Sequence, residues 1–371
     1  MIDIKNTDKN WIEKVSKKNK NADKILVEKV IRAFALLEGL TKSNINFVFR
    51  GGTSLMLLQG MSKRLSIDID IIIPKKELFL DTELEKIAVD YDFLRVELQN
   101  RTTESLIKKL HYKFFYKPFL KTSNEEEYIL LDILFEEIPY SIITKKVIDS
   151  PFLLNKEPFY YVNIPCVEDI LGDKLTAFAP NTIGIPYYKN GDSMSMEIIK
   201  QLYDISGLFD IASDINVIRN TFEKVSNAEL KYLDNKFTTI DVLNDIFQTS
   251  LCLATRGVLG NGDFANLQNG IIRIKNFLFL EIYHIDKAIV SSSKVAYLSM
   301  LIINRSKTIE KYKNTTQVKD WIISNSKFTK LNKLKKTSPE AFFIGIKQLE
   351  CRTSIILNKK RCGLISTLFF C

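Results

Sequence analysis

The chain has 371 residues, 46% of them hydrophobic and 26% charged, which is ordinary for a globular protein and leaves room for two domains. No signal segment or apolar run of roughly 20 residues is apparent, so we expect a cytoplasmic protein without membrane spans. Five scattered cysteines and two histidines favour reduced thiols over a disulfide framework or a zinc site, and the net charge is +9.

The first predicted elements are a helix and a strand followed by a glycine turn. Asp23 is placed to cap a helix over residues 24–38, which we expect to end at Gly39. A strand over residues 46–50 leads into Gly51 and Gly52, and a short helix over residues 55–59 follows, capped by Thr53 or Ser54 and ended by Gly60. Unpaired N–H groups at such a turn favour an anion, phosphate above all.

The next predicted strand, residues 64–73, carries two aspartates on one face. Asp68 and Asp70 are two positions apart, while Ile67, Ile69 and Ile71 point to the opposite side. Two neighbouring carboxylates repel each other unless a cation lies between them, and oxygen ligands suggest Mg²⁺. The alternative interpretation is a solvated strand face with two exposed aspartates.

These two segments together resemble a known family. GGTSL followed by RLSIDID is similar to the first motif of the AbiEii/AbiGii-type nucleotidyltransferase toxins, a branch of the polymerase-β-like superfamily that includes the MenT toxins. The resemblance implies that Asp68 and Asp70 hold Mg²⁺ and that Arg64 binds phosphate. It also implies hydrogen bonds to a nucleoside triphosphate from four further residues: Gly51, Gly52, Thr53 and Ser66.

After Pro74 the patterns predict a helix over residues 81–90 and strands over residues 93–98 and 109–116, where we expect His111 to be structural. The stretch YILLDILFEE is a further strand, and Asp132 is the lone carboxylate within its apolar run. The resemblance implies that Asp132 is a third metal-binding and catalytic carboxylate. Many family members have a lysine where this chain has Leu130, and an edge-strand aspartate that reaches water is the alternative.

A helix over residues 167–178 contains Lys174 within its apolar stripe. Such a lysine usually extends outward to water, but among carboxylates and a triphosphate it would clamp phosphates. The spacing of Asp169 and Lys174 resembles the family's third motif and implies this second role.

A Gly-, Pro- and Asn-rich loop over residues 181–192 is a candidate mobile lip, and a helix over residues 196–210 follows it. The LYD of this helix resembles the fourth motif, with Asp204 at its second aspartate and Gln201 in place of the first. We expect a site role for Asp204, either at the phosphates or in holding Lys174. A surface pair of Lys200 with Asp204 is the plain alternative.

From residue 215 onward the patterns are helical, at residues 241–255, 264–279, 286–303, 316–324 and 339–350. We therefore predict an α/β nucleotidyltransferase domain with a mixed sheet and flanking helices over residues 1–212, and an all-α helical bundle over residues 213–371. From residue 301 to the end, 15 lysines and arginines stand against 4 acidic residues. This basic end suits a polyanion such as RNA, although a solvated lysine-rich surface explains it equally well.

The resemblance implies a Mg²⁺-dependent enzyme that transfers a nucleoside monophosphate from an NTP to an acceptor hydroxyl and releases pyrophosphate. It further implies a toxin of a toxin–antitoxin or phage-defence system, with a cognate antitoxin and tRNA or another RNA as acceptor. Two alternatives stay open: a small-molecule nucleotidyltransferase of the antibiotic-modifying kind, and an inactive nucleotide- or RNA-binding module of the same fold, which Leu130 and Gln201 make conceivable.

Overall fold

The computed structural model describes residues 1–58, 63–74, 79–99, 109–324 and 329–352. They form two compact units, the first made of Met1–Ile170 with Ile274–Tyr283, the second of Leu171–Arg273 with the described residues from His284 onward. None of the helices in these ranges is both long and apolar enough to cross a membrane. The domain boundary that the sequence suggests after residue 212 stays a prediction.

The first unit is built around a mixed sheet. Its helices and strands are α1 Lys9–Lys18, α2 Lys24–Lys42, β1 Val48–Arg50, α3 Gly51–Ser54, β2 Ile69–Ile72, α4 Leu80–Asp90, β3 Arg95–Leu98, β4 Lys109–Tyr116, β5 Glu127–Leu134, β6 Ile143–Val147 and β7 Tyr161–Pro165. Five strands pair in the order β1-β2-β5-β4-β3, and β6 forms a hairpin with β7. The β2–β5 pair is parallel and the other pairs of the large sheet are antiparallel. This confirms the predicted mixed sheet with flanking helices.

The two faces of the sheet differ in polarity because side chains alternate along each strand. One face carries Phe49, Ile71 and Ile133, which are almost completely buried. The opposite face carries Asp70 and Asp132, which are half-buried. The polar face is therefore the one available for chemistry.

Helix α2 does not end where the sequence suggested. It continues through Gly39 to Lys42, so the predicted stop at Gly39 is wrong. A Cβ at Gly39 would lie 2.6 Å from Cγ2 of Ile87 in α4. The glycine is there because it allows two helices to approach closely, and a glycine that serves packing is indistinguishable in sequence from one that ends a helix.

The second unit is mostly helical, and its described residues from 213 onward form helices and turns, which agrees with the helical C-terminal region that the sequence predicts. The elements after β7 are α5 Val167–Ala177, β8 Tyr188–Lys189, β9 Asp192–Ser193, α6 Ser195–Ile211, α7 Ile215–Tyr232, α8 Thr239–Ala254, α9 Phe264–Arg273, α10 Ile285–Ile303, α11 Leu334–Thr337 and α12 Pro339–Arg352. Helix α10 is buried along most of its length and contacts α6, α8 and α12. It is the central helix of this unit.

Two of the predicted helices in this part of the chain are shorter in the structure. The pattern over residues 264–279 yields α9 and then a 3-10 turn, Ile274–Phe277. The pattern over residues 316–324 yields only a 3-10 turn, Thr315–Val318. Apolar periodicity alone does not separate a helix from successive tight turns.

Candidate active site

A row of polar side chains crosses the large sheet of the first unit. Arg50 is paired in register with Asp70, Asp70 with Asp132, and Asp132 with His111, through four successive strands. Residues directly opposite one another in neighbouring strands project from the same face and lie about 5 Å apart. The structure thus brings Asp70 and Asp132 together, 62 residues apart in sequence, between a cation and an imidazole.

The glycine turn lies against this row. Gly51 has a φ of +78°, a conformation that a residue with a Cβ adopts at a steric cost, and a Cβ at this position would overlap the Asp70 carboxylate. A Cβ at Gly52 would lie 2.7 Å from Nη2 of Arg64 and 2.7 Å from Oγ of Ser66. Because Gly51 and Gly52 lack side chains, the carboxylate of Asp70, the guanidinium of Arg64 and the hydroxyl of Ser66 can all approach this turn.

The turn itself differs from the prediction. Gly51 and Gly52 form the first residues of α3, and a 3-10 turn, Leu55–Leu57, follows, so a helix that starts at Leu55 is wrong. Gln59 and Gly60, the predicted end of that helix, lie outside the described residues. Thr53 does not cap a later helix, because its buried hydroxyl donates to the carbonyl oxygen of Asp68 at 2.6 Å. This bond ties the turn to the segment before β2.

Arg64 is held at its side chain and its backbone. It is 6% exposed, and its Nη1 donates to the carbonyl oxygen of Leu65 at 3.1 Å. Its backbone forms a bridge with Leu278, and the Leu65 N–H donates to the Phe277 carbonyl at 2.7 Å. Strand β2 begins only at Ile69, so the predicted start of a strand at Arg64 is wrong, yet the segment 274–283 fixes Arg64 beside Gly52.

Sequence reasoning placed His111 in a strand but missed its contact with Asp132. We expected it to be structural, since no triad partner is near in sequence. In the structure its Nδ1 lies 2.6 Å from Oδ1 of Asp132. The two residues are 21 positions apart, and only the register of β4 against β5 brings them together. No sequence signal short of a correct strand register could have found the pair.

The donor set suits a magnesium ion held by few protein ligands. In the described ranges, no group of three or more His, Cys, Asp and Glu side chains is close enough to hold a metal ion. Asp68 is exposed, whereas Asp70 and Asp132 are direct register partners. Mg²⁺ commonly uses one or two carboxylates and completes its shell with water and substrate phosphates, and the Asp70–Asp132 pair fits that type of site.

Lys174 and Asp204 form a buried ion pair in the second unit. Their Nζ and Oδ2 atoms are 2.9 Å apart, and the side chains are 8% and 4% exposed. The same Nζ donates to Oε1 of Gln201 at 3.2 Å. Gln201 therefore supplies a neutral hydrogen-bond acceptor where the family pattern has an aspartate. Lys200 pairs with Glu197 at 3.2 Å. Lys174 therefore does not extend to water, and Asp204 fixes its ammonium group.

Asp169, the acidic residue of the pattern that includes Lys174, has a structural role. It is completely buried and accepts hydrogen bonds from the backbone N–H groups of Ser141 and Ile142. The Cys166 thiol also donates to it, at 3.2 Å. Burial, together with this bond to a carboxylate, raises the pKa of Cys166 to about 12. Cys166 and Asp169 thus stabilise the fold and do not form a reactive centre.

The loop over residues 181–192 is tied to the second unit. Its first residues, Asn181 and Thr182, donate to the carboxylate of buried Asp245 at 2.8 and 2.9 Å. The two short strands β8 and β9 form a hairpin at its end. If this loop forms a mobile lip, its first residues are held in place by Asp245.

The fold and site define a class: a mixed-sheet nucleotidyltransferase with paired carboxylates beside a glycine turn. The family model described as nucleotidyl transferase AbiEii toxin, type IV toxin–antitoxin system, matches residues 35–268, well over half of the chain. The chain belongs to this AbiEii family. The resemblance noted in the sequence is thereby confirmed, and the match ends within the second unit.

Several solved structures are similar to this chain. JHP933 from Helicobacter pylori is 16% identical, with a TM-score of 0.37, and the alignment covers 75% of this chain and 90% of that one. MenT4, a nucleotidyltransferase toxin from Mycobacterium tuberculosis, is 13% identical, with a TM-score of 0.48 and coverage of 79% and 89%. An antigenic nucleotidyltransferase-like protein from Paracoccidioides brasiliensis is 18% identical, with a TM-score of 0.34 and coverage of 56% and 89%. No curated protein sequence matches, so the assignment rests on the family match.

Proposed function

We propose that this protein transfers a nucleoside monophosphate from an NTP to an acceptor hydroxyl and releases pyrophosphate. The observation that carries the proposal is the register pairing of Asp70 with Asp132 directly beside a glycine turn that also meets Arg64 and Ser66. Two carboxylates next to a phosphate-type turn are what a metal-assisted phosphoryl transfer requires.

The residues of the first unit divide into those that hold metal and those that hold phosphate. Asp70 and Asp132 would hold Mg²⁺, which when bound neutralises charge on the triphosphate, and Asp68 is the third carboxylate that we propose takes part. The backbone N–H groups of the turn and the Ser66 hydroxyl donate to phosphate oxygens, and the Arg64 guanidinium binds them through charge. The full set of proposed triphosphate ligands is Gly51, Gly52, Thr53, Arg64 and Ser66.

Asp132 has a second proposed task, which is to accept the proton of the attacking hydroxyl. It is half-buried and lies at the end of the carboxylate pair away from the turn, so it is suited to face an acceptor. For Lys174 we propose the phosphate contact that the family pattern implies, with Asp204 fixing its ammonium group. These side chains take little part in covalent chemistry, so the positioning of the NTP and the acceptor supplies most of the rate enhancement.

The acceptor that we propose is RNA, with tRNA as the first substrate to test. Support comes from the basic balance after residue 300 and from the toxin family to which the chain belongs. The type IV toxin–antitoxin family also supports a cognate antitoxin as a partner.

The test is incubation of the protein with each α-³²P-labelled NTP, Mg²⁺ and total tRNA. We expect label on RNA from the wild type and from Asp90→Ala, which removes an exposed aspartate of α4. We expect none from Asp68→Ala or Asp70→Ala. Label on a small molecule and none on RNA would show that the acceptor is a small molecule. NTP binding without any transfer would identify an inactive module.

A further inference from the structure

We propose that His111 is a positioning residue, which holds the Asp132 carboxylate in the orientation that nucleotide transfer requires. The inference rests on the proposed function, because it gives Asp132 a task in that reaction. It assigns to the imidazole a role that neither the motifs nor the resemblance contains.

The geometry of the pair is that of a strong hydrogen bond. The Nδ1–Oδ1 distance is 2.6 Å, and the side chains of His111 and Asp132 are 14% and 37% exposed. A carboxylate only accepts, so this contact assigns the proton to Nδ1 of the ring. The donor is also the more buried of the two side chains.

The imidazole is held by its own strand. The backbone carbonyl of His111 accepts from the N–H of Gln99 at 2.7 Å, and β4 is paired along its whole length with β5. Pairing on both sides fixes the backbone of His111, and its side chain, which is 14% exposed, turns only about χ1 and χ2. The Asp132 carboxylate is thus bound by a short ring side chain on a fixed backbone.

Asp132 needs such a restraint because of its other neighbour. Asp70 is directly opposite it in β2, and two like charges in facing positions turn away from each other unless something holds them. With Oδ1 engaged by His111, Oδ2 is the oxygen that remains for an acceptor hydroxyl or a metal ion. Removal of the donor should leave Asp132 present but wrongly oriented.

Two substitutions separate this role from simple packing. The amide nitrogen of asparagine occupies about the position of Nδ1, whereas that of glutamine reaches the position of Nε2. We expect His111→Gln and His111→Phe to lower kcat by about 10- to 100-fold, the usual loss when a partner of a site ligand is removed. We expect His111→Asn to be about tenfold more active than His111→Gln. The KM for NTP should change much less than kcat in all three, since the proposed triphosphate ligands lie on the glycine turn or directly beside it.

A second readout is independent of activity. The chain has only two histidines, so a ¹⁵N-imidazole NMR spectrum of the full chain is simple to assign with a His284→Gln variant. We expect the Nδ1 of His111 to carry the proton in the wild type and to lose this fixed tautomer in Asp132→Leu. A tautomer protonated at Nε2 alone in the wild type would overturn the assigned bond.

The outcomes distinguish the two proposals. A wild type that transfers no nucleotide to any acceptor refutes the proposed function, and the positioning role falls with it. An active wild type whose His111→Asn and His111→Gln variants are equally active, or whose losses follow their melting temperatures, overturns the positioning role alone. An active wild type with the order asparagine above glutamine and phenylalanine, with the loss mainly in kcat rather than in KM, supports it.

Discussion

Asp70 and Asp132 are direct register partners in two parallel strands, β2 and β5, so their carboxylates leave the same face of the sheet side by side. Like charges in facing positions of neighbouring strands destabilise a sheet. The fold keeps them together although their charges repel each other. Such local conflicts are characteristic of functional sites.

Added Mg²⁺ should stabilise the wild type, because a ligand that binds only the folded state raises the free energy of unfolding by mass action. We expect the melting temperature to rise with Mg²⁺ and to do so far less in Asp70→Asn, which keeps the shape but removes a charged ligand. Scanning calorimetry at constant ionic strength measures both. The Asp90→Asn variant should respond like the wild type, and an undiminished response of Asp70→Asn would contradict the metal site.

Gly51→Ala should destabilise the protein and abolish transfer. The alanine meets two difficulties, a positive φ and the Asp70 carboxylate. Gly191→Ala is a matched control, because Gly191 has a φ of +87° and no atom of the described residues lies within 4 Å of the position that a Cβ would take. Left-handed backbone costs about 1–2 kcal/mol in both variants. Chemical denaturation should show a larger loss at Gly51, and equal losses would mean that the Asp70 contact is unimportant.

Lys174→Met should cost about 3–5 kcal/mol of stability, because it removes the ammonium group that pairs with the buried Asp204 carboxylate at 2.9 Å. The exposed pair of Lys24 with Glu13, at 3.4 Å, provides the comparison, and Lys24→Met should cost less than about 1 kcal/mol. A double-mutant cycle with Asp204→Leu isolates the coupling between Lys174 and Asp204. A Lys174→Met protein as stable as the wild type but inactive would instead indicate that Lys174 and Asp204 do not pair in solution and that Lys174 acts only in substrate binding.

Cys166 should be inert to thiol reagents near neutral pH. Its pKa is raised to about 12, first by burial and then by the Asp169 carboxylate, so almost no thiolate exists at pH 8. Alkylation of the folded protein with iodoacetamide, followed by peptide mapping, should show slow labelling that increases as pH rises toward the pKa. In the Asp169→Asn variant labelling should be faster at every pH, provided that its far-UV spectrum is native. Rapid labelling of Cys166 in the wild type at pH 7 would contradict this environment.

The sequence determined the chemistry of individual segments. Aromatic residues at alternate positions predicted β4 to the residue, and an apolar run predicted β5 with its end three residues too late. The paired glycines with Asp68 and Asp70 resembled the first motif of the family to which the chain belongs. These features are local: the period of a strand and the conformational freedom of glycine are written in a few adjacent residues.

Tertiary structure decided which distant residues meet. The pairing of His111 with Asp132 depends on strand register, and a slip by one residue would turn the imidazole to the other face of the sheet. The continuation of α2 through Gly39 depends on Ile87 of a separate helix, and the burial of Lys174 depends on Asp204. Such partners are chosen by packing and charge across long stretches of chain, and no local pattern of residues encodes them.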